Sequence, residues 1–142
     1  MQKEMLAPAA VLVLWTFVML TWLATSRLPA IRKMGGLGDA QPGGRGQDLE
    51  GVIPPQINWK SHNYTHLLEQ PTLFYAVSVI VALTGATRTD VLLAWGYVGL
   101  RIVHSLWQAL VNTIPVRFSL FVISTALLLA LAIRAAENTL LP

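Results

Sequence analysis

The stretch from Met5 to Ser26, MLAPAAVLVLWTFVMLTWLATS, contains no charged residue. An α-helix needs about 20 mostly apolar residues to cross the hydrocarbon core of a bilayer. Such a run points to a spanning helix, and it restricts the chain to folds whose backbone satisfies its own hydrogen bonds in lipid. Three more segments have the same character, at about 66–85, 91–111 and 116–135. A secretory signal peptide is the competing reading of the first run. Its apolar stretch exceeds the roughly 7–15 residues of a signal core, and three further spans follow it.

Composition agrees with this. Hydrophobic residues make up 54% of the 142 and charged residues 12%, about half the ~25% usual for soluble domains. The net charge of +3 comes from scattered Lys and Arg, without the basic cluster that a nucleic-acid partner requires, so none is expected. The chain has no cysteine. Disulfides are excluded, and any thiol chemistry must use a thiol brought by another molecule.

Between the first two spans, residues 27–61 are polar and rich in glycine and proline, and read as an irregular loop. The other connections, ATRTD and NTIPV, are short and force antiparallel neighbours. The expected fold is an all-α membrane protein, one domain over 1–142, in which four transmembrane helices form an up-down bundle. On the side of the first and third loops lie Arg27, Arg32, Lys33, Arg45, Lys60 and Arg117, against Lys3, Arg88 and Arg134 opposite. The excess places the long loop in the cytoplasm and both termini on the other side.

Several polar residues break the apolar pattern near one end of the bundle. His62, His66 and Glu69 share a face of the second span, and Arg101, His104 and Gln108 share a face of the third. With about 1.5 Å of rise per residue, these two rows lie at similar depths. Arg101 falls near mid-membrane, where an unpaired charge costs roughly 3 kcal/mol or more. Glu69 is the only carboxylate inside the expected spans, so the two are expected to pair and, with His104, to floor a cytoplasm-facing pocket. Such a pair can also serve only to lock helices in register. Gln70, Asn112 and Arg117 lie near the same mouth, and intramembrane polar residues mark functional sites. Pro71 reads as a helix-start proline. His62, His66, Glu69 and His104 are metal-ligand types, but no recognised spacing such as H-E-x-x-H occurs, and no metal is expected.

HLLEQPTLFYA followed by AWGYVGLRIVHSLWQALVNTIPVRF resembles the MAPEG family, the membrane-associated proteins in eicosanoid and glutathione metabolism, in a bacterial-type form. The resemblance rests on R-x-x-H at Arg101 and His104 and on Arg117, sixteen residues after Arg101. It also rests on His66, Glu69, Pro71 and Phe74 in the second span. It implies a homotrimer in a bacterial inner (plasma) membrane that holds glutathione between subunits near the cytoplasmic face. It further implies that Glu69 and Arg117 contact glutathione, and that Arg117 stabilises the thiolate that attacks a lipophilic electrophile or a peroxide. The candidate glutathione-binding set is then His62, His66, Glu69, Arg101, His104, Gln108 and Arg117, with Arg117 as the catalytic group. The family's glutathione-binding members commonly have arginine at the position of His62, asparagine at His66 and tyrosine at Gln108. Some members bind or regulate without catalysis, so the alternative is a non-catalytic trimer that binds a lipid or a partner protein.

Overall fold

The computed structural model describes residues 1–141. Four helical rods run antiparallel: α1 (Gln2–Lys33), a rod made of α2 (Pro55–Glu69) and α3 (Pro71–Thr84), α4 (Arg88–Leu110) and α5 (Ile114–Leu140). One short 3₁₀ turn, Gly46–Leu49, interrupts the long connection. α1 packs on α2, α3 and α4, while α5 packs on α3 and α4. Both chain ends lie at one end of the bundle, where Asn138 of α5 donates to the Thr84 hydroxyl (3.3 Å). The long loop and the α4–α5 turn lie at the other.

α1, the α2–α3 rod and α5 are each long and apolar enough to cross a membrane. α4 is not among them by composition, because its 23 residues include Arg101, His104 and Gln108. The bundle has an apolar core, with Met5, Leu12, Phe74, Val81 and Leu131 buried, that also holds polar groups, and its outer surface is apolar too. Arg101, Ser105, Asn63, Ser78, Asp90 and Ser124 are buried, while Leu14, Phe17, Leu83, Leu92, Phe118 and Leu129 are exposed. An outer surface of that kind is what lipid or a neighbouring subunit covers.

The irregular part of the long connection is shorter than the expected 27–61. α1 continues to Lys33 and α2 begins at Pro55, which leaves 34–54 between them. Apolar length marks the part of a helix inside lipid, whereas hydrogen-bonded turns continue into water. Local chemistry sets the true ends. Gly35 and Gly36 take positive φ after α1, as glycine does past a helix end, and Pro55 takes the first position of α2.

That early start also moves Pro71. It lies sixteen residues into the rod and not in its first turn, as expected from the sequence. Gln70 keeps helical dihedrals (φ −59°, ψ −37°), so the chain continues in nearly the same direction. Proline has no N–H to offer the carbonyl four residues back, and the rod is divided there into α2 and α3.

Two devices set α4 against α5. Thr87 caps α4 and accepts from the Asp90 N–H, while Asp90 accepts from the Thr87 N–H (2.8 Å) and hydroxyl (2.7 Å). Asp90 is fully buried and also accepts from Arg134 Nε of α5 (3.3 Å). Near the middle, Gly96 brings the α4 backbone close to Leu127, since a Cβ there would stand 3.1 Å from Leu127 Cδ1.

Candidate functional site

The α4–α5 turn places the cationic group of the site. Asn112 has φ +57°, a left-handed conformation that asparagine tolerates better than most residues. Its side-chain oxygen accepts from Arg117 Nη1 (2.6 Å). Arg117 lies one turn into α5, and Ile114, Phe118 and Phe121 share its helix face. This face forms one wall of a cleft of about 400 Å³, opposite His62 and His66 of α2 and His104 and Gln108 of α4. A second recess of about 280 Å³ shares His62, His66 and Gln108 and adds Gln47, Glu50, Ser61, Thr65 and Glu69.

Six of the seven residues singled out from the sequence line these recesses. Arg101 does not. It lies beneath them, fully buried, with Nη1 3.3 Å from His66 Nε2 and Nη2 3.3 Å from the His66 carbonyl oxygen. The expected direct pair between Glu69 and Arg101 is absent among the described residues, and His66 takes its place. Glu69 Oε2 is 3.0 Å from His66 Nδ1, so the imidazole stands between carboxylate and guanidinium. A neutral ring satisfies both neighbours, its Nδ1–H donating to Glu69 and its Nε2 lone pair accepting from Arg101. Helical geometry explains the correction. Three residues turn about 300°, which leaves Glu69 roughly 60° off the His66 direction. The Glu69 side chain is 63% exposed and points away from the α2–α4 seam.

His104 is 2% exposed, and its ring centroid lies 5.0 Å from that of His66. Phe121 covers the His66 imidazole, with ring centroids 5.6 Å apart. Gln108 is 6% exposed, and its Oε1 is buried without a protein partner. That oxygen is shielded from the cleft, and a buried acceptor left unpaired costs about 1–3 kcal/mol. Behind the cleft, Tyr97 OH donates to Gln70 Oε1 (3.4 Å) and Gln70 Nε2 to Thr125 Oγ1 (2.9 Å). This chain ties α4, the break at Pro71 and α5 together. Trp15 of α1 donates to Ser105 (3.1 Å) on the other side of α4.

Sequence reasoning missed the aromatic wall and the loop residues. Ile114, Arg117, Phe118 and Phe121 follow single-face helical spacing, which is a usable signal. Nothing local in the sequence marks Gln47 or Glu50, because their place depends on how the loop folds back. The arrangement joins a guanidinium, a row of imidazole and amide groups and an apolar wall at one end of a membrane-type bundle. That combination defines a helical membrane protein with a polar cleft beside its apolar outer surface. The MAPEG family model matches residues 5–136, and the chain belongs to the MAPEG family. No curated protein and no solved structure matches it.

Proposed function

We propose that the chain is a membrane-embedded glutathione-dependent transferase or peroxidase that acts on lipophilic electrophiles as a homotrimer. The observation that carries this reading is Arg117, fixed by Asn112 at a cleft whose other walls are His66, His104, Gln108 and the aromatic pair Phe118 and Phe121. Glutathione supplies a thiol, which a chain without cysteine cannot provide itself. Arg117 favours its thiolate by charge and has nitrogens besides Nη1 with which to take a carboxylate. Gln108 lines the cleft and gives the tripeptide a polar side-chain amide as neighbour. Phe118 and Phe121 give the lipophilic partner an apolar approach from the bilayer side. Glu69 and His62 border the outer recess and meet the polar end of the ligand, while Arg101 and His104 hold His66 in place from below.

In this reading α4 also crosses the bilayer, with its polar row facing its neighbours. The long loop lies in the cytoplasm, the termini lie opposite, and the membrane is a bacterial inner membrane. The test is conjugation of glutathione to a lipophilic electrophile by purified protein. Arg117→Ala is expected to lower kcat by about 10²-fold or more, as loss of a transition-state charge contact does. Equal rates would remove Arg117 from the mechanism.

A second reading, a non-catalytic trimer that binds a lipid or a partner protein, is favoured by one observation: His62 is already engaged by Glu50. Millimolar glutathione raises the unfolding temperature under the first reading and leaves it unchanged under the second.

A further inference from the structure

The outer recess contains a contact that the proposed chemistry does not use. Glu50, in the loop between α1 and α2, lies with its carboxylate against Nε2 of His62. Both side chains are about half exposed, at 49% and 42%, so a ligand can reach the pair. The loop around Glu50 is anchored on both sides. Arg27 Nη2 donates to the Gly46 carbonyl (2.8 Å) and to Asn58 Oδ1 (3.2 Å). The buried Asn58 donates in turn to the Leu49 carbonyl (3.1 Å), and Ile53 is buried just beyond. Glu50 therefore sits between fixed neighbours, and its carboxylate is delivered to His62.

We infer that Glu50 is a specificity-determining residue, which occupies the donor on His62 that a ligand carboxylate would take and so closes the outer recess to anions. This rests on the reading of the cleft as a site for a carboxylate-bearing thiol. One Nε2–H cannot serve two carboxylates, and a second anion brought there meets the charge of Glu50 at contact distance. Glu69, on the same recess wall, adds repulsion of the same sign. A ligand anchored at Arg117 must present a neutral or cationic group to this recess or displace Glu50. If it displaces Glu50, its apparent affinity falls by the fraction of molecules in which the carboxylate has left.

The test is calorimetric titration of the intact protein in lipid nanodiscs with glutathione, comparing wild type, Glu50→Gln and Glu50→Gln/His62→Ala. Glu50→Gln is expected to bind roughly three- to fivefold tighter, the scale of a half-exposed ion pair. The gain disappears in the double variant, where the freed donor is gone. Equal affinity of wild type and Glu50→Gln overturns the inference and leaves the proposed function standing, whereas binding by none of the three removes both. Titration with glutathione diethyl ester, whose carboxylates are capped, guards against a general loosening of the loop. The gain is confined to the free acid if Glu50 acts on carboxylates, and an equal gain with the ester overturns the proposal.

Discussion

At position 66 an imidazole stands between a buried guanidinium and an exposed carboxylate, with a separate partner for each ring nitrogen. Removing the ring and removing the carboxylate should then have very different effects. His66→Ala leaves the buried Arg101 guanidinium with only the backbone carbonyl of residue 66, and the lost hydrogen bond to a charged group is expected to cost about 1.5–3 kcal/mol. Glu69→Gln touches only the exposed end of the relay and costs under about 1 kcal/mol. Thermal unfolding in detergent ranks the two, and a larger loss for Glu69→Gln would restore the direct pair that the sequence suggests. For the same reason, exchanging the charges of Glu69 and Arg101 should not rescue the fold. Helical spacing makes it legible that these residues converge on one seam. It does not show which of them touch, because a rotation of about 60° around a helix decides whether a side chain enters the seam or leaves it. Glu50 is legible from no spacing at all, since it reaches His62 through the path of a loop.

Among the elements, α4 is held to α5 by Asp90 and Arg134 at the terminal end and by Gly96 against Leu127 near the middle, and Arg117 on Asn112 closes the turn that joins them. Each contact has its own expected penalty. Asp90→Ala removes a cap and a buried acceptor, worth about 1–3 kcal/mol together. Because it lies at the end away from the cleft, it should lower the unfolding temperature and leave glutathione binding unchanged. Gly96→Val forces branched carbon against Leu127 and costs about 1–3 kcal/mol by overpacking. Gly99→Ala is the control, since a Cβ there meets nothing within 4 Å in the subunit. The number and order of the rods are legible because apolar length and short connections are properties of the sequence alone. Their ends are not, because amphipathic turns outside lipid carry no apolar signature. Pro71 shows the effect: its meaning changes from start to break once α2 is seen to begin at Pro55.

As a whole molecule, the bundle is apolar on its outer surface as well as in its core, with a minority of polar groups buried among the apolar ones. The absence of cysteine makes its proposed orientation directly measurable, because a single introduced thiol has no background. Asp39→Cys in the loop should resist a membrane-impermeant maleimide in intact cells, and Gln2→Cys should react; the opposite pattern would invert the orientation. The polar row of α4 has a consequence for biogenesis. Three rods are apolar enough to partition into a bilayer alone, but α4 carries Arg101, and an arginine at mid-helix adds about 2.5–3.5 kcal/mol to insertion. Under the proposed topology this helix enters the membrane with help, and the α2–α3 rod made just before it carries His66, which partners Arg101. On that topology the order of synthesis matters: α2 and α3 leave the ribosome before α4, the segment least able to insert alone. Fused alone to a reporter, α4 should be largely rejected by the insertion machinery, and it should be retained when the segment from Pro55 precedes it.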